Sequence, residues 1–460
     1  MPRHTIRTLL VVLALVGPTL VPGVAGAAPR VRLVKDIHPG GDSNPGGFVS
    51  LGDRTLFSAD DGVRGRELWR TDGTRRRTKR VKDIWPGAGG SAPRSLARMG
   101  KRVLFVADDG VHGLELWRTN GRPTGTRLVK DINPGGSAFP AMGPIDLVGV
   151  GGTLFFAADD GTRGRELWRS DGTRRGTKLV KNIWPGADDG SPGELTRFGK
   201  HLLFVANDGT RGRELWRSDG TRRGTKLVKN IWPAGDSSLP NFITAFRRVA
   251  YFQANDGTRG RELWRTNGRP KGTRMVKDIR PGPDGSSPED FFMVGGRLIF
   301  EANDGTRGFE PWRSDGTRKG TKILKDVAPG MTSSSPDYGF VFRGILYQTM
   351  SDGSRGSELW RTDGTRRGTK LVKDIYPGPD SSIPRYFVVA GRKRLVFAAT
   401  SATGQELWRT GGTRKGTKPT RDIWPGPTGS NPFGLYSTKS HVLFSADDGT
   451  RGRELWAYRR

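Results

Sequence analysis

The stretch ELWRSDGTRRGTKLVKNIWPG at 166–186 returns as ELWRSDGTRRGTKLVKNIWPA at 214–234. The phrase ends its first triplet on a tryptophan at Trp69, Trp117, Trp168, Trp216, Trp264, Trp312, Trp360, Trp408 and Trp456. Seven of the eight intervals are 48 residues, and the one from Trp117 to Trp168 is 51 because of an insertion near Phe139 to Gly143. The LVKDI phrase also occurs nine times, carrying Asp36, Asp83, Asp131, Asn182, Asn230, Asp278, Asp326, Asp374 and Asp422. A proline marks every unit, at 45, 93, 144, 192, 240, 288, 336, 384 and 432. A period of this size signals a solenoid, a propeller or an array.

Each unit reads as all-β. Between Pro192 and Pro233 the runs ELTRFG, HLLFVA, RELWR and TKLVKNI are separated by Gly199-Lys200, Asn207-Asp208-Gly209 and Asp219-Gly220. No stretch shows a helical period, and turn residues bound every run. Four short strands in about 48 residues describe the blade of a β-propeller. The amino-terminal VRLVKDI is the last strand of a unit and the carboxy-terminal RELWAYRR is the third. Side by side they complete one blade, which closes the ring and removes a sheet edge. The fold class expected is therefore all-β, a closed β-propeller of about nine four-stranded blades, with eight blades and a displaced ninth as the numerical alternative. An open solenoid would need capping repeats, and none is visible.

Residues 1–27 stand apart. MPRHTIR is basic, LLVVLALVGPTLVPGV is apolar and Ala25-Gly26-Ala27 is a small-residue cleavage site. This is the pattern of a secretory signal peptide, so residues 28–460 are expected to form one exported propeller domain, secreted or held at the cell surface. The chain has no Cys, which excludes disulfides and thiolate chemistry. Its formal net charge is +31, a balance that attracts polyanions such as nucleic acid, anionic glycans or wall polymers.

The phrases ELWRSDGT at 166–173 and 214–221, and ELWRTDGT at 67–74 and 358–365, resemble a bacterial family of secreted proteins built of ELWxxDGT repeats. The resemblance covers nearly all of 31–456, with departures at Glu310-Pro311-Trp312 and Gly411. More loosely, residues 206–216 resemble the tryptophan-docking motif of quinoprotein propellers, A-x-D-x-x-T-G-x-x-x-W, with Arg211 in place of Thr. That resemblance implies that each tryptophan staples its blade to a neighbour, so the nine tryptophans are assigned a structural role. A quinoprotein needs a metal-held quinone above the axis, and nothing apart from the repeats marks such a site.

Candidate sites lie where the units differ. The two residues after each marker proline begin the inner strand A and would line the axis. They include Asp146, Glu194, Glu289, Asp290, Asp337, Tyr338, Arg385 and Tyr386, while the rest of the unit barely varies. An axial mouth is a usual ligand site. Charge is also sorted by loop. The loops joining strands B to C and D to A carry aspartates, such as Asp60, Asp61, Asp108 and Asp109. Those joining C to D carry Arg174, Arg175, Arg222, Arg223, Arg366 and Arg367, and the A–B loops add Lys101-Arg102 and Arg247-Arg248. A shared strand order makes the second set one basic face. His4, His38, His112, His201 and His441 show no metal-ligand spacing, the Asp-Gly turns lack a calcium-loop ladder, and no nucleophile signature is present. Neither a metal nor a cofactor is expected. The function expected is a non-catalytic binding or scaffold protein, monomeric, for anionic polymers or protein partners; sequence-specific nucleic-acid binding is not indicated. The alternative is an extracellular enzyme acting on a glycan or small substrate at the axial mouth.

Overall fold

The computed structural model describes residues 30–233 and 236–460. Residues 1–27, assigned above to a signal peptide, lie outside the described residues, as does His4. Nine four-stranded antiparallel sheets form a nine-bladed β-propeller. In blade 4 the strands run Gly193–Phe198, His201–Asn207, Arg213–Ser218 and Lys226–Lys229, labelled A to D from the axis outward. The inner strands of successive blades pack on one another all round the ring, including blade 9 on blade 1. The strand Val31–Lys35 pairs with Arg453–Arg459, with Leu33 opposite Trp456 and Lys35 opposite Leu455. The ring is closed as the split repeat predicts.

The opening phrase is mainly a device for joining blades. Its tryptophans are 4–6% exposed. Trp216 packs with Leu202 and Phe204 of its own blade against Leu167, Val180 and Ile183 of blade 3, and the other seams repeat this arrangement. The lysine of LVKDI supports it from outside. Lys181 Nζ lies 5.4 Å from the Trp216 ring centre and donates to the Thr225 carbonyl at 3.0 Å. Eight seams carry this lysine. At the ninth, Arg421 takes its place and donates to the Val31 carbonyl at 3.2 Å.

The glutamate of the phrase ties down the link to the next blade. Glu214 is fully buried and accepts from the backbone N–H of Ile231 (2.9 Å), Trp232 (3.3 Å) and Ser238 (3.3 Å), and from Ser238 Oγ (2.7 Å). Glu454 does the same for the closing blade through Ile37, His38 and Ser43. This explains why strand D stops at Lys229, although the apolar run continues to Ile231. The Ile231 N–H leaves the sheet ladder for a carboxylate. Burial raises these glutamates above the usual range, to about 7 for Glu115, Glu166 and Glu310.

The SDGT segment closes the C–D hairpin. Asp219 Oδ1 accepts from Thr221 N–H and Oγ1 at 2.8 Å, and Ser218 and Thr225 hydroxyls meet at 2.7 Å beneath it. Gly220 sits at φ +89° there, where a side chain would be strained and would meet Phe155 of the preceding blade.

One boundary differs from the sequence reading. Ile145 and Asp146 precede the inner strand of blade 3, which runs only Val148–Val150. The insertion buries Ala138 and Phe139 in the seam between blades 2 and 3, and the chain reaches the axis later as a result.

Candidate functional site

The topology places all C–D and A–B loops on one face of the ring. Several C–D loops are tethered to the next, because a strand C arginine donates to a glycine carbonyl there: Arg118 to Gly172 at 2.6 Å, Arg265 to Gly316 at 3.0 Å and Arg361 to Gly412 at 3.0 Å. Arg174 and Arg175 on blade 3 neighbour Arg222 and Arg223 on blade 4 because successive blades pack side by side. Arg366 and Arg367 lie three blades further on, and Arg269, Lys271, Arg318 and Lys319 fill the interval. All six arginines are exposed, and none makes an ion pair among the described residues. The A–B loops of blades 4 and 5 and the C–D loop of blade 5 border a concavity of about 500 Å³ lined by Lys200, His201, Arg247, Arg248 and Arg269.

The opposite face handles charge differently. Asp208 Oδ1 accepts from the backbone N–H of Thr210 and Arg211, and its Oδ2 pairs with Arg211 Nη1 at 2.6 Å. The same turn recurs at Asp160, Asp256, Asp304, Asp352 and Asp448. Burial pushes Asp208 up, but these hydrogen bonds outweigh it and hold the carboxyl below its ordinary range. The aspartates are turn caps for their own loops.

The axial mouth opens on this second face. The second residue after the marker proline has a positive φ in eight blades, among them Glu194 (54°), Phe242 (56°), Asp290 (53°), Tyr338 (49°) and Tyr386 (60°). A register shift follows it in each of those inner strands. Left-handed backbone is costly for residues with side chains, and such positions cluster at functional sites. The bulge aims these side chains at the mouth.

The five axial acids form two groups. Asp146 and Glu194 line a cavity of about 520 Å³ together with Arg165 and Arg213, and Asp146 Oδ2 accepts from Leu195 N–H at 3.3 Å. Burial raises Glu194, with Asp146 adding to it. Glu289, Asp290 and Asp337 stand on blades 6 and 7, beyond blade 5. A fourth carboxylate joins them. Glu301, on strand B of blade 6, is paired directly opposite Glu289. Burial, then the facing Glu289, push it far above the usual range, so the pair retains a proton at neutral pH. Burial, then Asp337 and Glu289, raise Asp290 to about 6. Tyr338 is exposed at the rim. Arg385 stacks on Tyr386 at 5.3 Å and donates to Gln405 Oε1 at 3.2 Å, and Tyr386 meets Phe433 edge-on at 5.2 Å.

Glu301 was missed in the sequence, although a signal was present: RLIFEAN places an acid inside an apolar strand whose counterpart in blade 4 is HLLFVAN. Also missed were Trp85, Trp184, Trp232 and Trp424, which lie close over the turn glycines Gly110, Gly209, Gly257 and Gly449 of the next blade. His38 occupies the same place over Gly62. His112 Nδ1 lies 2.9 Å from Asp109 Oδ2. No group of three His, Asp or Glu among the described residues is placed to hold a metal. No helix there is long and apolar enough to cross a membrane.

No protein-family model and no curated protein matches this chain. Among solved structures, a puromycin hydrolase aligns at 14% identity and TM-score 0.41, over 88% of this chain and 58% of its own. Prolyl endopeptidase aligns at 14% and 0.41, over 68% and 49%. A puromycin-hydrolysing peptidase of Mycobacterium tuberculosis aligns at 10% and 0.40, over 77% and 58%. The chain spans less than two thirds of each, and likeness at this level carries no functional argument.

Proposed function

We propose that the protein is a non-catalytic binding propeller of the ELWxxDGT-repeat type, exported, that holds an anionic polymer on its C–D loop face. The observation that carries this reading is the contrast in ion pairing. Arginines of the B–C turns are bound to neighbouring aspartates, whereas Arg174, Arg175, Arg222, Arg223, Arg366 and Arg367 stand exposed without one. The strand order common to all blades sets these charges in an arc on one face. A single exposed contact contributes about 0–1 kcal/mol. A polymer that touches many at once gains by counterion release. The ligand class is a glycan or wall polymer with regularly spaced anionic groups. The loops lack the interleaved aromatics on which nucleic-acid bases stack.

The test is heparin affinity, measured between about 50 and 200 mM salt, for the parent and for a variant with the six arginines changed to Ser. The parent should bind with a steep salt dependence and the variant more weakly, with a shallower slope. Equal binding by the two proteins would make the basic face only a solubilising surface.

A further inference from the structure

The nine-fold pattern breaks most sharply at the mouth of blades 6 and 7. Glu301 is 8% exposed, and its carboxyl meets no protein donor beyond the proton it shares with Glu289. One blade back, Gln253 occupies the equivalent position, 3% exposed, with an unpartnered Oε1. Side chains alternate along a strand. Tyr251 packs into the seam between blades 5 and 6, so Gln253 faces blade 6 and its inner strand Glu289–Val294. Ile299 packs against Leu346 of blade 7, so Glu301 faces blade 7, whose inner strand begins at Asp337. One buried acceptor without a donor, Gln253 Oε1, and one buried carboxyl that shares a proton with Glu289 thus face the inner strands of blades 6 and 7. A carboxylate or amide oxygen left without a donor in a buried place is costly.

Counter-charge is withdrawn from this part of the ring. The residue before the strand C glutamate is arginine in five blades, Arg66, Arg165, Arg213, Arg261 and Arg453, and Leu114 in blade 2. Three blades in a row, 6, 7 and 8, lack the arginine, with Phe309, Ser357 and Gln405 before Glu310, Glu358 and Glu406. None of the four carboxylates makes an ion pair among the described residues, and Arg385 is turned to Gln405 and Tyr386.

We propose that the mouth of blades 6 and 7 binds an organic cation, an ammonium or guanidinium group on a ligand, between Glu289, Asp290, Glu301 and Asp337. Such a group supplies several N–H donors and positive charge at once, which is what the Gln253 oxygen and the unpaired acids lack. The acids are not gathered at metal-ligand geometry. The exposed rings of Phe242 and Tyr338 flank them, and an aromatic face attracts a cation.

Isothermal titration of the full chain with argininamide, spermidine and CaCl2 tests this. Argininamide or spermidine should bind saturably at pH 7.5, more tightly than at pH 5, because Asp290 must be ionised to take part. Asp290→Asn with Asp337→Asn should weaken binding at least tenfold while the melting temperature is unchanged; Glu301→Gln should weaken it as well. The six-arginine variant should bind the cation like the parent, so failure here is distinguishable from failure of the polyanion reading. The inference is overturned if neither organic probe binds, if CaCl2 alone binds, or if the double Asn variant binds undiminished.

Discussion

The seams between blades and the loops of the C–D face use the same basic residues for different ends. In a seam, Lys181 covers Trp216 and donates to a carbonyl of the next blade, and Arg118 reaches the glycine carbonyl of the next loop. Each such cation has partners fixed by the fold. In the loops, Arg174 and Arg222 have no ion-pair partner and face solvent. Composition alone reports one figure, +31, but the structure separates charge that joins the ring from charge that is offered outward.

The comparison breaks first at ring closure. Deleting residues 31–38 strips buried Val31 from the seam between blades 8 and 9, and Val34 and Ile37 from the seam between blades 9 and 1. At about 1.5–3 kcal/mol for each buried side chain, this is the largest effect expected. Urea unfolding should show loss of cooperativity in the closing blade, and an unchanged midpoint would mean that the ring does not depend on that strand. Trp216→Ala should cost roughly 3–5 kcal/mol by emptying a large aromatic site. Free acrylamide quenching of these tryptophans would place them in solvent instead.

The glutamate ladder should show in the pH dependence. Glu115, Glu166 and Glu310 have folded values near 7, above their unfolded values. Stability from a raised carboxyl is fully present below its unfolded value, and is lost as pH rises through about 7. The turn aspartates such as Asp208 are held low, so their contribution is lost only as pH falls below the ordinary aspartate range. Melting temperature should therefore peak in mildly acid solution and decline towards pH 8. Glu115→Gln should flatten the decline; a parent profile level from pH 5 to 8 would contradict the buried ladder. The smallest effect is expected at the face. Each of the six arginine-to-serine changes should move stability by no more than about 0.5 kcal/mol, and a larger loss would show that those arginines belong to the architecture.

Much of this was legible in the chain. Repeat length, strand count and ring closure followed from the spacing of Trp69 to Trp456, because a blade cannot bury its own tryptophan without a neighbour. The arginine loops were legible too, since one strand order repeated nine times sends every C–D loop to the same side. What the sequence did not reveal depends on long-range contacts. The Glu of ELW read as an ordinary strand residue until its carboxylate met the N–H groups 17 to 24 residues later. The five axial acids read as one group, yet the ring sets Asp146 and Glu194 beside Arg165 and Arg213 and leaves Glu289, Asp290 and Asp337 with Glu301. Local pattern determines which residues form a strand and which side they face. Assembly of the ring decides which side chains meet across a seam, and so which charges find a partner in another blade.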